Sequence, residues 1–201
     1  MAVPKIIFLI IVACACCHTF ALADSEPSYK GKTAQEWAAG IRARTEDPRE
    51  LLDAGPEAAP MLIRLSENSS TGVRAMAYMG LSFIGPKAEG TLLALIKGLK
   101  DSFLTSRYWS AQGIGKFGPR GVKAVPALID CIQTTVKSKH LVGRDLHFID
   151  VRLETAKALG EIGPAAAPAL AALKQALNDP NPGVQSATKE AIQKIQTSVK
   201  Q

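Results

Sequence analysis

Two histidines and several charged residues lie together in one polar stretch, residues 134–149. Imidazole nitrogens and carboxylate oxygens bind zinc and iron, so His140, His147 and either Asp145 or Asp150 could form a metal site. Their spacing matches no familiar zinc or iron pattern, and three ligands would have to converge from a loop. We therefore predict no metal site and interpret the stretch as a loop that contacts solvent or a partner. The candidate contacts in and beside it are Lys137, His140, Arg144 and His147.

An arginine occupies the same position in three segments of similar sequence, at Arg74, Arg107 and Arg152. A row of guanidinium groups could bind an anion. Alternatively, each arginine braces the turn that precedes its helix, through a carboxylate such as Asp101 or Asp150. We favour bracing, because a residue that recurs with the repeat is explained by the fold.

The remaining reactive residues form no catalytic pattern. Cys131 stands where the equivalent segments carry leucine, which indicates a small buried hydrophobic residue rather than a nucleophile. The glycines of the segment 113–118 resemble a phosphate-binding loop, but no strand precedes them. The chain has no Gly-x-Ser-x-Gly motif, and we predict neither catalytic residues nor a cofactor.

The N-terminus has the layout of a secretory signal peptide, predicted over residues 1–23. Lys5 precedes the apolar run 6–15, and Ala21-Leu22-Ala23 offers small residues where a signal peptidase reads them. An alternative is a lipobox over residues 11–14, with Cys14 acylated, although no polar tether follows it. We expect an exported protein, periplasmic or extracellular, that is held on a membrane only if Cys14 carries a lipid.

Charge and composition favour a protein partner over nucleic acid. The formal net charge is +6, from 24 basic and 18 acidic residues, and loss of Lys5 with the signal leaves 23 − 18 = +5. The basic residues alternate with acidic ones instead of clustering, as a nucleic-acid domain would require. Three of the four cysteines precede residue 18, so no disulfide framework is expected after cleavage.

A Gly-Pro pair recurs at one position of a repeated apolar pattern, at spacings of 30, 33 and 45 residues. Self-similarity at such a period is typical of solenoids. The segment before each pair carries apolar and small residues at helical spacing, which predicts an amphipathic helix A. Glycine can take the left-handed conformation of a helix C-cap, and proline suits the first turn of a following helix B. The four pairs are Gly55-Pro56, Gly85-Pro86, Gly118-Pro119 and Gly163-Pro164.

Helix B is predicted to bury two apolar positions in each repeat, and polar turns connect it to the next helix A. No segment alternates with period two for long enough to be a strand, so we predict an all-α fold. Thr33-Ala34-Gln35-Glu36 is a capping box that opens a helix in an N-terminal capping segment, residues 24–45. The first buried position is Leu62, Leu92, Leu128 and Leu170, and the second is Leu65, Leu95, Cys131 and Leu173.

The pattern Val-Arg…Ala…Leu-Gly…Ile-Gly-Pro-Ala-Ala-Ala-Pro-Ala-Leu in residues 151–179 resembles a HEAT repeat of the bacterial phycobilisome-lyase HEAT-like type. The resemblance extends over roughly residues 46–198 and is weakest in the first repeat. It implies an α-α superhelix, a HEAT/armadillo-type solenoid of about four to five helix pairs over 46–201, with the loop insertion at 134–149. It also implies that the B helices line the concave side.

The resemblance leaves two kinds of function open. Deoxyhypusine hydroxylase, built of similar repeats, binds iron through His-Glu pairs, which this chain lacks. Phycobilin lyases share the repeat but act in the cytoplasm, which a signal peptide argues against. We predict a non-catalytic scaffold that binds proteins; the alternative is a metal-dependent oxidoreductase, a lyase-type protein or an accessory subunit of an enzyme. On or just after the B helices the candidate contacts are Arg64, Lys97, Lys100, Asp130 and Lys174.

Overall fold

The computed structural model of the chain describes residues 26–137 and 150–197, with side chains up to residue 134 in the first range. A two-stranded ribbon, β1 (Ser28–Tyr29) and β2 (Lys32–Thr33), precedes a series of helices. The α-helices are α1 (Ala34–Ala43), α2 (Arg49–Asp53), α3 (Ala59–Leu65), α4 (Thr71–Ile84), α5 (Thr91–Gly98), α6 (Leu104–Gly115), α7 (Val125–Lys137), α8 (Val151–Ile162), α9 (Leu170–Ala176) and α10 (Pro182–Thr197).

The helices form two layers. Helices α4, α6, α8 and α10 pack side by side as an A layer, and each also packs on the helix B that precedes it in the chain. Helices α3, α5, α7 and α9 form the B layer. Within the described ranges, four pairs (α2–α3 to α8–α9) are followed by α10, so the predicted all-α superhelix of about four to five helix pairs is confirmed. The first helix A is reduced to the five residues of α2.

The core lies between the layers, and small residues let the A helices approach each other. Leu81, Ile114 and Leu159, which share one position of the repeat, are fully buried. A Cβ atom added at Gly113 would lie 2.9 Å from the Cα of Ser82 on the neighbouring helix. The A layer therefore depends on glycine at this close backbone approach.

One of the two predicted B-helix positions is only half correct. The second position is buried in all four repeats, including Cys131 at 3% exposed. At the first position, Leu62 and Leu128 are fully buried, but Leu92 and Leu170 are only partly buried. Helices α5 and α9 instead bury the small residues Ala94 and Ala172. This rotation leaves Leu92 and Leu170, two positions earlier, at the border of the buried face.

Each Gly-Pro pair lies at a joint between helix A and helix B, as the pattern predicted, but it begins a short 3-10 segment rather than helix B itself. All four glycines have positive φ. At Gly85 and Gly163, however, ψ is −130° and −143°, so neither residue takes the left-handed helical cap conformation. The following proline excludes helical ψ values at the residue before it, which leaves a region that only glycine occupies readily. The segments are Gly55–Ala58, Gly85–Lys87, Gly118–Ala124 and Gly163–Ala169.

The N-terminal ribbon contradicts the prediction that no strand is present. Its turn residues Lys30 and Gly31 both have positive φ, 50° and 72°, so a tight turn rather than an alternating pattern creates the pairing. The predicted capping box is confirmed, because the Thr33 hydroxyl accepts from the Glu36 N–H at 3.3 Å and the Thr33 N–H donates to the Glu36 carboxylate at 2.8 Å. Trp37 is fully buried beneath the ribbon and donates to the Tyr29 carbonyl at 3.0 Å.

Candidate functional site

The recurring arginines brace the turns of the solenoid. Arg74 donates from Nε and Nη2 to the two oxygens of Asp101 at 2.7 and 3.1 Å, and from Nη1 to the carbonyls of Asn68 and Ser69 at 2.9 Å. It thus ties the turn before α4 to the turn before α6. All three guanidinium nitrogens donate to groups of the fold itself. The prediction that this arginine braces a turn rather than binds an anion is therefore confirmed at Arg74.

Arg152, near the start of α8, repeats this arrangement two helices further along the A layer. Its guanidinium pairs with Asp150 in the preceding turn and with Asp179 in the following turn, each at 3.0 Å. Asp150 also caps α8, since its carboxylate accepts from the N–H groups of Arg152 and Leu153. For Arg107 the next connection in the series is residues 138–149, which lie outside the described part of the chain. The predicted start of the loop insertion at residue 134 is wrong, because residues 134–137 continue helix α7.

Burial and pairing act in opposite directions on the two bracing carboxylates. Burial raises the pKa of Asp101, but hydrogen bonds from Arg74 and the Phe103 N–H outweigh it, so the net pKa is below its ordinary value. The pKa of Asp150 is lowered in the same way, with burial opposed by the hydrogen bond and charge of Arg152 and by Asn181. Both groups therefore remain charged within the structure.

The charged residues that the sequence singled out lie on or just after the B helices, and all of them are exposed. We call the surface that they form the B-layer surface; it carries Arg64, Lys97, Lys100, Asp130 and Lys174. The structure brings two of them together, because Glu67 accepts from Arg64 at 3.0 Å and from Lys97 at 3.4 Å. Within the described residues, no ion pair links Asp130, Lys100 or Lys174 to another side chain. The other four predicted contacts, Lys137, His140, Arg144 and His147, lie outside the described side chains.

Aliphatic side chains on the same helices were missed as site residues. Leu93 on α5 is 61% exposed, the highest value among the large hydrophobic residues of the described chain. Ile63 on α3 and Ile129 on α7 occupy the equivalent position, directly after the first B-helix leucine, and are partly buried. Their recurrence one residue after Leu62, Leu92 and Leu128 is a signal that the aligned sequence already contained.

Residues 26–137 and 150–197 contain no group of three His, Cys, Asp or Glu side chains that could hold a metal ion. The two histidines considered as ligands, His140 and His147, lie outside these ranges. None of the helices described in those ranges is long and apolar enough to cross a membrane.

Comparisons with known proteins agree with this architecture. The sequence profile of the PBS lyase HEAT-like repeat matches residues 151–179. The fold matches a solved structure, the complex of CpcE and CpcF of phycocyanin lyase from Nostoc sp. PCC7120, with a TM-score of 0.64. That match has 22% sequence identity and covers 85% of this chain and 68% of the other, so it shows a common fold. No curated protein matches the sequence.

The layers, the joints and the fold match define an α-solenoid built from HEAT-like repeats. Within that class, residues 151–179 are a repeat of the PBS-lyase HEAT-like type, and the resemblance predicted from the sequence is confirmed. Export and the signal peptide over residues 1–23 remain predictions.

Proposed function

We propose that the B-layer surface binds an acidic, partly apolar segment of a partner protein and that the chain is a non-catalytic scaffold. The observation that carries the proposal is an exposed leucine, Leu93, on a surface whose exposed charges are mainly basic. Solenoids present such extended faces to other macromolecules because successive repeats place equivalent side chains in a row.

The charge balance of this surface favours an acidic partner. Arg64, Lys97, Lys100 and Lys174 contribute four positive charges, against Glu67 and Asp130. Glu67 is already shared by two cations, so it does little to repel an approaching carboxylate. Exposed charges of this kind act mainly on association rate and specificity, which predicts binding that weakens as salt rises.

The aliphatic side chains supply the apolar part of the contact. Full burial of a leucine side chain stabilises by about 1.5–3 kcal/mol, so burying the exposed part of Leu93 contributes about 1–2 kcal/mol. Ile63 and Ile129, at the equivalent position of α3 and α7, add apolar area that is only partly buried. A partner segment with aliphatic residues flanked by Asp or Glu fits this arrangement.

A site-specific cross-linking experiment tests the proposal. A photoreactive amino acid placed at Leu93 should capture a partner in cells of the source organism, whereas the same group at the exposed Lys189 of α10 should not. With the captured protein purified, Lys97→Glu together with Lys100→Glu should weaken binding, and the Lys189→Glu control should not. Equal capture from both positions, or unchanged affinity after charge reversal, would contradict the B-layer surface as the binding site.

The fold match favours a second candidate, an accessory subunit of a lyase-type enzyme, and the sequence also left a metal-dependent enzyme open. Elemental analysis of the purified protein separates a metalloenzyme from a scaffold. Stoichiometric iron or zinc that is lost in a His140→Ala/His147→Ala variant would support the metalloenzyme.

We further propose that the protein acts outside the cytoplasm, because residues 1–23 have the layout of an export signal; N-terminal sequencing of the mature protein checks this.

A further inference from the structure

The last turns of the A helices carry a row of exposed side chains, which we call the outer row. Each member stands two positions after one of the equivalent residues Leu81, Ile114, Leu159 and Ile192. Helices α4, α6, α8 and α10 lie side by side in that order, so the members follow one another across the layer. The outer row is Phe83, Lys116, Glu161 and Lys194, and all four residues are exposed.

Three members of the outer row border a groove of about 470 Å³ between α6, α8 and α10. They are Lys116, Glu161 and Lys194, and small residues such as Ala158 and Ala191 also line the groove. Among the described residues, no helix of the B layer contributes to it. The outer row therefore lies on the face of the A layer that is turned away from the B helices.

Within the chain, the outer row is divided into two pairs. The Lys116 ammonium group lies over the Phe83 ring, 5.2 Å from its centroid, and Lys194 donates to Glu161 at 2.6 Å. In the described part of the chain, no ion pair joins Lys116 to Glu161, although both border the groove. Burial and then the like charge of Lys87 lower the pKa of Lys116. A further carboxylate would therefore stabilise this ammonium group.

The order of charges in the outer row is complementary to its own reverse. A twofold axis parallel to the helices, placed between α6 and α8, reverses the order of the helices in a second copy that faces the A layer. Lys116 then faces Glu161 of the partner subunit, and Phe83 faces Lys194 of the partner subunit. Each contact occurs twice, as in any twofold interface. The first contact joins opposite charges, and the second places a cation on an aromatic ring.

The next row, one helical turn earlier on the same helices, fits the same symmetry. Three of its members, Gln112, Lys157 and Glu190, also line the groove, and the fourth is Met79 on α4. In the reversed order, Gln112 faces Lys157 of the partner subunit, and Met79 faces Glu190 of the partner subunit. No like charges face each other in either row.

Aromatic side chains supply the apolar part of this face. Phe83 is 49% exposed, and its ring meets the Trp109 ring with 5.6 Å between the centroids. In the twofold arrangement this aromatic pair lies opposite α10 of the second copy, where small residues line the groove. Aromatic residues bury large areas at interfaces, so they provide most of the free energy of association. The facing charges mainly fix the register.

We propose that the chain forms a twofold dimer through this face of the A layer, with Lys116 of each copy bound to Glu161 of the partner subunit. The B-layer surface lies on the other layer and stays accessible in this dimer. The proposal is therefore independent of the binding function proposed for that surface.

Charge reversal and mixing of variants test the dimer. Sedimentation velocity of the purified protein should show a dimer that increases with concentration. Lys116→Glu and Glu161→Lys should each raise the Kd of the dimer about tenfold or more, because each homodimer then contains two contacts between like charges. An equimolar mixture of the two variants should dimerise again, because opposite charges then meet at both contacts. Only a contact between chains produces this recovery.

Matched variants on the other layer serve as controls. Lys97→Glu reverses an exposed charge of the B-layer surface and should leave the Kd unchanged. Phe83→Ser should weaken the dimer about tenfold, whereas Leu93→Ser, at a more exposed residue of α5, should not. A protein that remains monomeric at about 0.1 mM would overturn the proposal. So would an unchanged Kd in both charge-reversal variants, or a mixture of them that fails to dimerise.

Discussion

At the scale of the residue, Arg74 and Arg152 show how one side chain links two repeats. Each guanidinium contacts the turn before its own helix and a carboxylate in the next turn, so the connections of the solenoid are joined to one another. The buried partners are Asp101, 5% exposed, and Asp179, whose side chain is fully buried. Removing one partner of a buried pair lowers the free energy of unfolding more than removing one partner of a surface pair does.

Asp101→Asn is expected to lower the free energy of unfolding by about 2–4 kcal/mol, because it leaves the Arg74 charge without its counter-ion. Chemical denaturation at neutral pH measures the loss. The control is Asp47→Asn, which removes an exposed pair with Arg49 and should cost no more than about 1 kcal/mol. Equal losses in the two variants would contradict the bracing role.

The same carboxylate makes stability depend on pH in a defined direction. Because the pKa of Asp101 is lower in the folded protein than its unfolded value of about 3.9, its contribution is complete above that pH. It is lost as the pH falls through the folded pKa. We expect the difference between the wild type and Asp101→Asn to shrink in denaturation series below about pH 4. A constant difference down to the lowest pH would be inconsistent with the lowered pKa.

At the scale of the element, the joint between helix A and helix B depends on the backbone of its glycine. Gly163 has φ 73° and ψ −143°, and a Cβ atom added there would meet nothing within 4 Å. Gly163→Ala should therefore destabilise by conformational strain alone, by about 1–3 kcal/mol. Thermal unfolding compares it with Gly72→Ala in the first turn of α4, where alanine should be neutral or stabilising. A neutral Gly163→Ala would show that the joint can adopt another conformation.

Two glycines of α6 separate close packing from helix propensity. A Cβ atom at Gly113 would lie 2.8 Å from Leu95 Cδ1 and 2.9 Å from the Ser82 Cα, whereas at Gly115 the nearest atom would be 3.4 Å away. We expect Gly113→Ala to destabilise by about 1–3 kcal/mol through overpacking. Gly115→Ala should stabilise by up to about 1 kcal/mol through its lower backbone entropy. Denaturant midpoints of the two variants should therefore move in opposite directions.

At the scale of the whole molecule, stability is shared between neighbouring repeats. Helix α8 packs on both α6 and α10, so the repeat 151–179 loses the contacts of both neighbours when it is isolated. A peptide of residues 151–179 should show no cooperative unfolding by circular dichroism, since a single repeat cannot bury its apolar faces. The full chain under the same conditions is the reference. A cooperative transition in the peptide would contradict a stacked solenoid.

The sequence predicted the parts of the molecule that repeat. The Gly-Pro joints, the bracing arginines and the small residues of helix A each recur at a fixed position, so periodicity alone identified them. Leu92 and Leu170 were misplaced because the pattern does not show how far a short helix turns toward its neighbours. The ribbon at Lys30-Gly31 occurs once, and a feature that occurs once has no periodic signal.

The position of Cys131 provides a way to observe the seam between α7 and α8. Its Sγ atom is 3.7 Å from the Thr155 hydroxyl across that seam, and the residue is 3% exposed. The other three cysteines all precede residue 18. A chain that starts at residue 24 therefore carries one thiol, and its alkylation rate in native buffer reports how often these two helices part.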